Sequence, residues 1–199
     1  MVTGPRVFER VMIMGGSGVG KSHLALRLAA ISGLPRYHID QLSWLPGFVH
    51  RTTDELDRMT SEIHATDHWI IEGGHYETSH DRAKRADLLL VLAPSRLMQV
   101  MQIILRSWRY SRMIRPGMAE GCTQRFGPQT LSAVEYALRS NSFHLERAQA
   151  VMNASPRLTI RQLSSRGEIN RFISGCSPVA GRRGFVIDGH TGVPVPHCA

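Results

Sequence analysis

The feature that most limits this chain is the octapeptide Gly15-Gly16-Ser17-Gly18-Val19-Gly20-Lys21-Ser22. It follows the apolar run Val11 to Met14 and precedes Leu24, Leu26, Leu28, Ala29 and Ile31, which recur at helical density. An apolar strand enters a glycine loop and an amphipathic helix leaves it. The order GxxxxGK[ST] is that of a phosphate-binding loop. Its glycines let the main chain wrap closely, so that successive amides face phosphate oxygens, and the helix adds the positive end of its dipole. In this reading Gly15 through Ser22 cradle a nucleoside triphosphate, Lys21 reaches the β and γ phosphates, and the Ser22 hydroxyl ligates the accompanying magnesium. Of 24 basic residues only Lys21 and Lys84 are lysines, so a lysine in register with the motif is informative.

The remaining pattern alternates strands with helices. Tyr37 to Asp40, Trp69 to Ile71, Leu88 to Leu92 and Leu158 to Leu163 read as further strands. Thr52 with Glu55 forms a capping box before the stripe Leu56, Met59 and Ile63. Ser95 caps a helix reaching about Arg112, with Leu97, Val100, Met101, Ile104, Leu105 and Trp108 at helical spacing. Pro116, Gly117, Gly121 and Gly127 break the next stretch into a flexible excursion, helix resumes from Leu131 to about Met152, and Ser165 with Glu168 caps a last one. This predicts an α/β sandwich around a mainly parallel sheet. The expected organisation is a domain over 1–174, with a lid at about 113–128, and an extension over 175–199. In that extension the pattern fades, and Phe185 to Val195 is a candidate surface hairpin.

Composition narrows the classes. The chain is 42% hydrophobic and 20% charged over 199 residues, as suits a folded domain rather than a disordered polymer. Its longest apolar run, Leu88 to Pro94, is too short to span a bilayer, and no secretory core precedes Val11, so a cytoplasmic location and no membrane partner are expected. Cys122, Cys176 and Cys198 form no CxxC pair, and no two of the ten histidines show HExxH spacing, so no protein-only metal site is expected. The net charge of +8 favours anionic partners.

The motif leaves the reaction open, and other residues narrow it. No NKxD tetrapeptide is present, which argues against a guanine-specific switch. Asp40 and Glu72 stand at strand ends that share a crevice with the glycine loop in a parallel sheet, where either can hold a magnesium-bound water or accept a hydroxyl proton. Ser22 and Asp40 are the candidate metal residues. Arg106, Arg109, Arg112 and Arg115 follow at intervals of three, then Arg125, with no carboxylate between Asp87 and Glu120. An anion is their natural partner, and Arg106, Arg109 and Arg115 are candidate ligands of a transferring phosphoryl group. Trp44 is placed to meet an acceptor.

Tyr37-His38-Ile39-Asp40-Gln41-Leu42-Ser43-Trp44 with Pro46-Gly47-Phe48, then Trp69-Ile70-Ile71-Glu72-Gly73-Gly74-His75-Tyr76, together with the glycine loop, resemble the adenylate-kinase-like P-loop proteins called topology modulation proteins. Arg115-Pro116-Gly117-Met118 with Glu120-Gly121-Cys122 is similar to that family's lid. The resemblance spans about Arg10 to Ile173. It implies a P-loop three-layer sandwich with a five-stranded parallel sheet of order 2-3-1-4-5, ATP binding, and kinase activity on a small or nucleotide acceptor. It also implies Asp40 as a metal or acceptor residue and lid arginines as phosphate ligands. The family often has Asp-Gly-Asn-Tyr where this chain has Glu72-Gly73-Gly74-His75-Tyr76, and nothing in it corresponds to the segment after Gly175. The expectation is therefore a magnesium- and ATP-dependent kinase. The rival is an ATP-switched nucleic-acid-binding regulator. The pattern leaves oligomeric state and acceptor open.

Overall fold

A computed structural model describes residues 5–188. In chain order its elements are β1 (Arg10–Gly15), α1 (Lys21–Ser32), β2 (Arg36–His38), α2 (Ile39–Ser43), β3 (Trp44–Leu45), β4 (Val49–His50), α3 (Thr53–His64) and β5 (Trp69–Glu72). There follow α4 (Ser79–Arg85), β6 (Leu88–Leu92), α5 (Arg96–Arg109), α6 (Pro128–Ala154), β7 (Thr159–Leu163), α7 (Arg166–Ser174), β8 (Cys176–Pro178) and β9 (Phe185–Ile187).

Five strands form one parallel sheet in the order β2-β5-β1-β6-β7. Counting only these strands along the chain, the order is 2-3-1-4-5. The central strands are buried on both faces, which is why they read as unbroken apolar runs rather than alternating ones. Val11, Ile13, Leu88 and Leu90 pack with Leu24 and Leu28 of α1 and Ile169 and Ile173 of α7. Met12, Met14, Leu89 and Val91 face the other way, toward Ala83 of α4 and Ala148 and Val151 of α6. The result is three layers, helix on sheet on helix, with the C-terminal ends of β1, β2 and β5 opening toward the glycine loop.

The local punctuation follows side-chain chemistry. Thr52 Oγ1 accepts from the Glu55 amide while the Glu55 carboxylate accepts from the Thr52 amide. Ser95 and Ser165 cap α5 and α7 through the amides of Met98 and Glu168. The left-handed Gly33 closes α1 by donating to Ala29 O.

Two expectations are corrected, and the fold decides a third matter that spacing left open. Strand β2 stops at His38, and Asp40 lies in the first turn of α2, where its charge complements the helix dipole. The described part of the segment after Gly175, up to 188, is not a surface appendage: β8 and β9 pair antiparallel, Phe8 bridges to Phe185, and Phe185 is fully buried in the core. The expected hairpin over Phe185 to Val195 falls partly outside the described residues, as does Cys198. Finally, the apolar stripe of α5 faces outward. Gln99 and Ser107 are fully buried, whereas Leu97 and Trp108 are 71% and 70% exposed. Among the described residues no helix is long and apolar enough to cross a membrane.

Candidate active site

The glycine loop joins β1 to α1 and is pressed from two sides. A Cβ on Gly15 would stand 2.4 Å from Leu92 O of the neighbouring strand, so only glycine lets β1 leave the sheet there. Gly18, at φ +77°, would meet Ile103 Cγ1 of α5 at 2.6 Å. Gln99 of α5 donates to Ser17 O at 2.6 Å and ties the loop down from the same side. Lys21 Nζ donates to Gly15 O (3.0 Å) and Gly16 O (2.7 Å), so the ammonium lies along the rim of the cradle. Among the described residues the amides of Ser17, Gly18, Val19 and Gly20 donate to no protein group. These amides, the ammonium and the α1 N-terminus fit a polyphosphate.

The neighbouring strands bring in a connected acid. Ser22 Oγ donates to Glu72 Oε1 at 2.7 Å, and His38 Nδ1 donates to the same oxygen at 2.5 Å. Arg36 donates to His38 Nε2 at 2.7 Å; a guanidinium can only donate, so the proton of this ring sits on Nδ1. Burial pushes the Glu72 carboxyl up, but His38, Lys21 and Ser22 together outweigh it and hold the group below its ordinary value. Asp40 stands farther out, 54% exposed, and accepts from Arg115 at 3.0 Å. Ser22 therefore has Glu72, and not Asp40, as its carboxylate partner. These are hard oxygen donors of the kind magnesium takes. Among the described residues no group of three His, Cys, Asp or Glu side chains forms a metal site, so phosphate oxygens are needed to complete one.

The cleft has two lobes. The smaller, about 270 Å³, is lined by the glycine loop with Arg36, Gln102, Arg106 and Tyr110. The larger, about 830 Å³, is lined by Trp44, Phe48, His50, Gln124, Tyr136 and His144 among others. Lys21, Asp40, Arg106 and Arg115 line both, so the charged residues stand where the lobes meet. Arg106 is mostly buried, its Nε has no partner, and burial, with the like charge of Arg115, lowers its guanidinium to about 10 against the pull of Asp40 and Glu72. An unpartnered buried cation at such a junction suits an anion.

Of the predicted arginines, Arg106 and Arg115 reach the cleft and Arg109 does not. Arg109 is exposed beside the Tyr110 ring, because two residues beyond the buried Ser107 lies about 200° around the helix. Arg112 and Arg125 are also exposed. The excursion between α5 and α6 folds back over the cleft. Met118, Ala119 and Cys122 pack on Trp44, and a Cβ on Gly117 would touch the His38 ring at 3.1 Å.

Sequence reasoning missed the contribution of α6. The Tyr76 hydroxyl, raised to about 12 chiefly by burial, stays protonated and shares a hydrogen bond with His144 Nδ1 at 2.5 Å. His144 Nε2 is buried without a partner on the wall of the larger lobe. Burial first, then Lys21, lowers this imidazole against Asp40. A Cβ on Gly16 would meet Gln99 Nε2, Asn141 Oδ1 and His144 Cδ2, so α5 and α6 close over the loop. The signal was present: Ala137, Asn141, His144, Ala148 and Val151 recur at spacings of four and three, and two polar residues interrupt that inward stripe.

Comparison with solved structures places this architecture. Shikimate kinase from Acinetobacter baumannii, in complex with shikimate, superposes with a TM-score of 0.54 at 11% identity, covering 84% of this chain and 89% of that one. The likeness is one of fold: the chain shares the three-layer α/β architecture of that kinase. A putative kinase from Chloroflexus aurantiacus (16% identity, 85% and 96% covered) and deoxyadenosine kinase from M. mycoides with bound dATP (11%, 83% and 97%) superpose with lower TM-scores of 0.46 and 0.43. No protein-family model and no curated protein sequence matches the chain.

Proposed function

We propose that the chain is a cytoplasmic, ATP- and magnesium-dependent kinase that moves the γ-phosphoryl group to a small acceptor held in the larger lobe, and that it belongs with the topology modulation proteins. One observation carries the reading. The unpartnered Arg106 guanidinium stands at the junction between the lysine-bearing glycine cradle and a second, larger cavity. A site that only bound or hydrolysed a triphosphate needs no second cavity beside its γ position.

Gly15 to Ser22 hold the triphosphate through their amides, and Lys21 turns from the loop carbonyls to the β and γ oxygens. Ser22, Glu72 and Asp40 are the residues that would hold magnesium, which when bound neutralises charge on the phosphate oxygens. Glu72, kept ionised by His38 and Lys21, is a weak base and a strong partner for positive charge. Asp40, at the mouth of the larger lobe, is the better placed to take the proton of an acceptor hydroxyl. Arg106 and Arg115 stabilise the charge that spreads over the transferring oxygens. The lid, about 113–128 of a catalytic unit over 1–174, keeps water out so that the phosphoryl group reaches the acceptor. The β8–β9 pair serves as a structural brace.

ADP release from magnesium-ATP, screened across nucleosides, nucleoside monophosphates and small phosphorylated metabolites, tests this. One acceptor class is expected to raise turnover far above that of Lys21→Ala. If none does while calorimetry still shows ATP binding, the kinase reading falls and a binding role replaces it. In that event, duplex-DNA affinity altered by ATP would favour the nucleic-acid-binding regulator.

A further inference from the structure

Helix α5 carries polar residues inward and apolar ones outward. Gln99, Ile103 and Ser107 are fully buried on its inner side, while Leu97, Met101, Ile104, Leu105 and Trp108 are 71%, 49%, 41%, 59% and 70% exposed. At about 100° per residue these five fall within an arc of about 100° turned away from the buried seam. Met113 and Ile114, 55% and 43% exposed, extend the patch beyond the helix end. The surface of a free monomer rarely displays so continuous an apolar ridge, which marks it as a contact surface to be explained.

The charges around the ridge say what kind. Arg109 and Arg112, at its C-terminal end, are exposed, and no carboxylate occurs between Asp87 and Glu120. A second copy of this chain would bring like charge to like. Pairing two ridges across a twofold axis near Trp108, Met113 and Ile114 sets Arg109 and Arg112 of one copy near those of the other, with no acid on either helix to relieve them. A surface of anionic headgroups meets the same arginines favourably and accepts the apolar arc beneath them, and a tryptophan near one end suits the headgroup boundary.

We propose that the outer face of α5 docks on an anionic lipid bilayer. The helix lies in the plane of the interface, with Leu97, Met101, Leu105 and Trp108 in the headgroup–acyl boundary and Arg109 and Arg112 on headgroup phosphates. The chain is then peripheral to a membrane, contrary to the expectation that no membrane takes part. Gln102 and Arg106, on another side of the same helix, line the cleft, so docking would set the cleft beside the membrane surface.

The test uses the full chain with vesicles of phosphatidylcholine alone or mixed with phosphatidylglycerol, read by co-sedimentation and by tryptophan emission. Binding is expected to be about tenfold or more stronger to the anionic vesicles, to weaken with salt, and to shift emission to the blue. The Leu105→Ser/Trp108→Ser variant is expected to fall to the phosphatidylcholine level with its melting temperature kept. Arg109→Gln/Arg112→Gln, which spares the apolar arc, is expected to weaken binding and flatten its salt dependence, and it decides the matter if the first variant does not fold. Equal or absent binding to the two vesicle types overturns the proposal. So does a lipid-free dimer, seen by sedimentation velocity and abolished by Leu105→Ser/Trp108→Ser, which would give the ridge to a second copy.

Discussion

Glu72 illustrates how neighbours set the chemistry of a single side chain. Alone in its buried position the carboxyl would favour the protonated form, yet the His38 N–H, the Lys21 charge and the Ser22 hydroxyl outweigh that cost. Glu72→Gln should leave the fold intact and lower magnesium-ATP turnover by about a hundredfold or more, as steady-state kinetics would show. Conservation of full turnover would remove Glu72 from the mechanism. At Gly18 the limit is space as well as dihedral angle. A methyl group there would press on Ile103 at 2.6 Å in a left-handed conformation, so Gly18→Ala should destabilise by about 1–3 kcal/mol, measured by denaturant unfolding. The glycine, lysine and serine of the cradle were legible because their chemistry depends on local order along the chain. The link from Arg36 through His38 to Glu72 was not, because it crosses from β2 to β5, and the strand pairing exists only in the folded sheet.

Among the elements, α5 does the most sorting. Its Arg106 enters the cleft and its Arg109 does not, although both belong to one arginine series. Arg106→Ala should cut phosphoryl transfer about a hundredfold, whereas Arg109→Ala should stay within about twofold in the same assay without lipid. Equal losses would mean that the helix is rotated from the position described. Spacing announced an amphipathic helix here, but a periodic pattern shows only that two faces differ. Gln99 and Ser107 are buried because Gln99 is needed at Ser17 O and Ser107 Oγ accepts from Gln124 of the excursion between α5 and α6, leaving the apolar arc outside. On α6 the reverse held: Asn141 and His144 sit among small apolar residues, and the glycine loop beneath them supplies the reason.

Across the whole molecule, acid should act through the buried histidines before it acts through Glu72. His64 has both ring nitrogens buried without partners, and burial, with Arg82 beside it, lowers its proton affinity; His144 is lowered by burial and Lys21. A histidine lowered in the folded state adds stability that is complete above about pH 6.5 and is lost as pH falls toward the folded value. The contribution of Glu72 is present above its ordinary 4.5 and disappears only as pH drops through its lowered folded value. Melting temperature should therefore fall between about pH 7 and pH 5, with a further loss below about pH 4. His64→Phe should flatten the first step, and a profile level from pH 7 to pH 5 would contradict the burial of these rings.

By itself the sequence determined the alternating order of strands and helices, the glycine cradle and the caps, because each rests on residues a few positions apart and on the period of the main chain. Only the tertiary structure decided which carboxylate meets Ser22, which arginine enters the cleft, that Phe185 belongs to the core and that the apolar side of α5 looks outward. Those outcomes depend on how separate elements are rotated and stacked against one another, and side-chain spacing within one element carries no information about its neighbours.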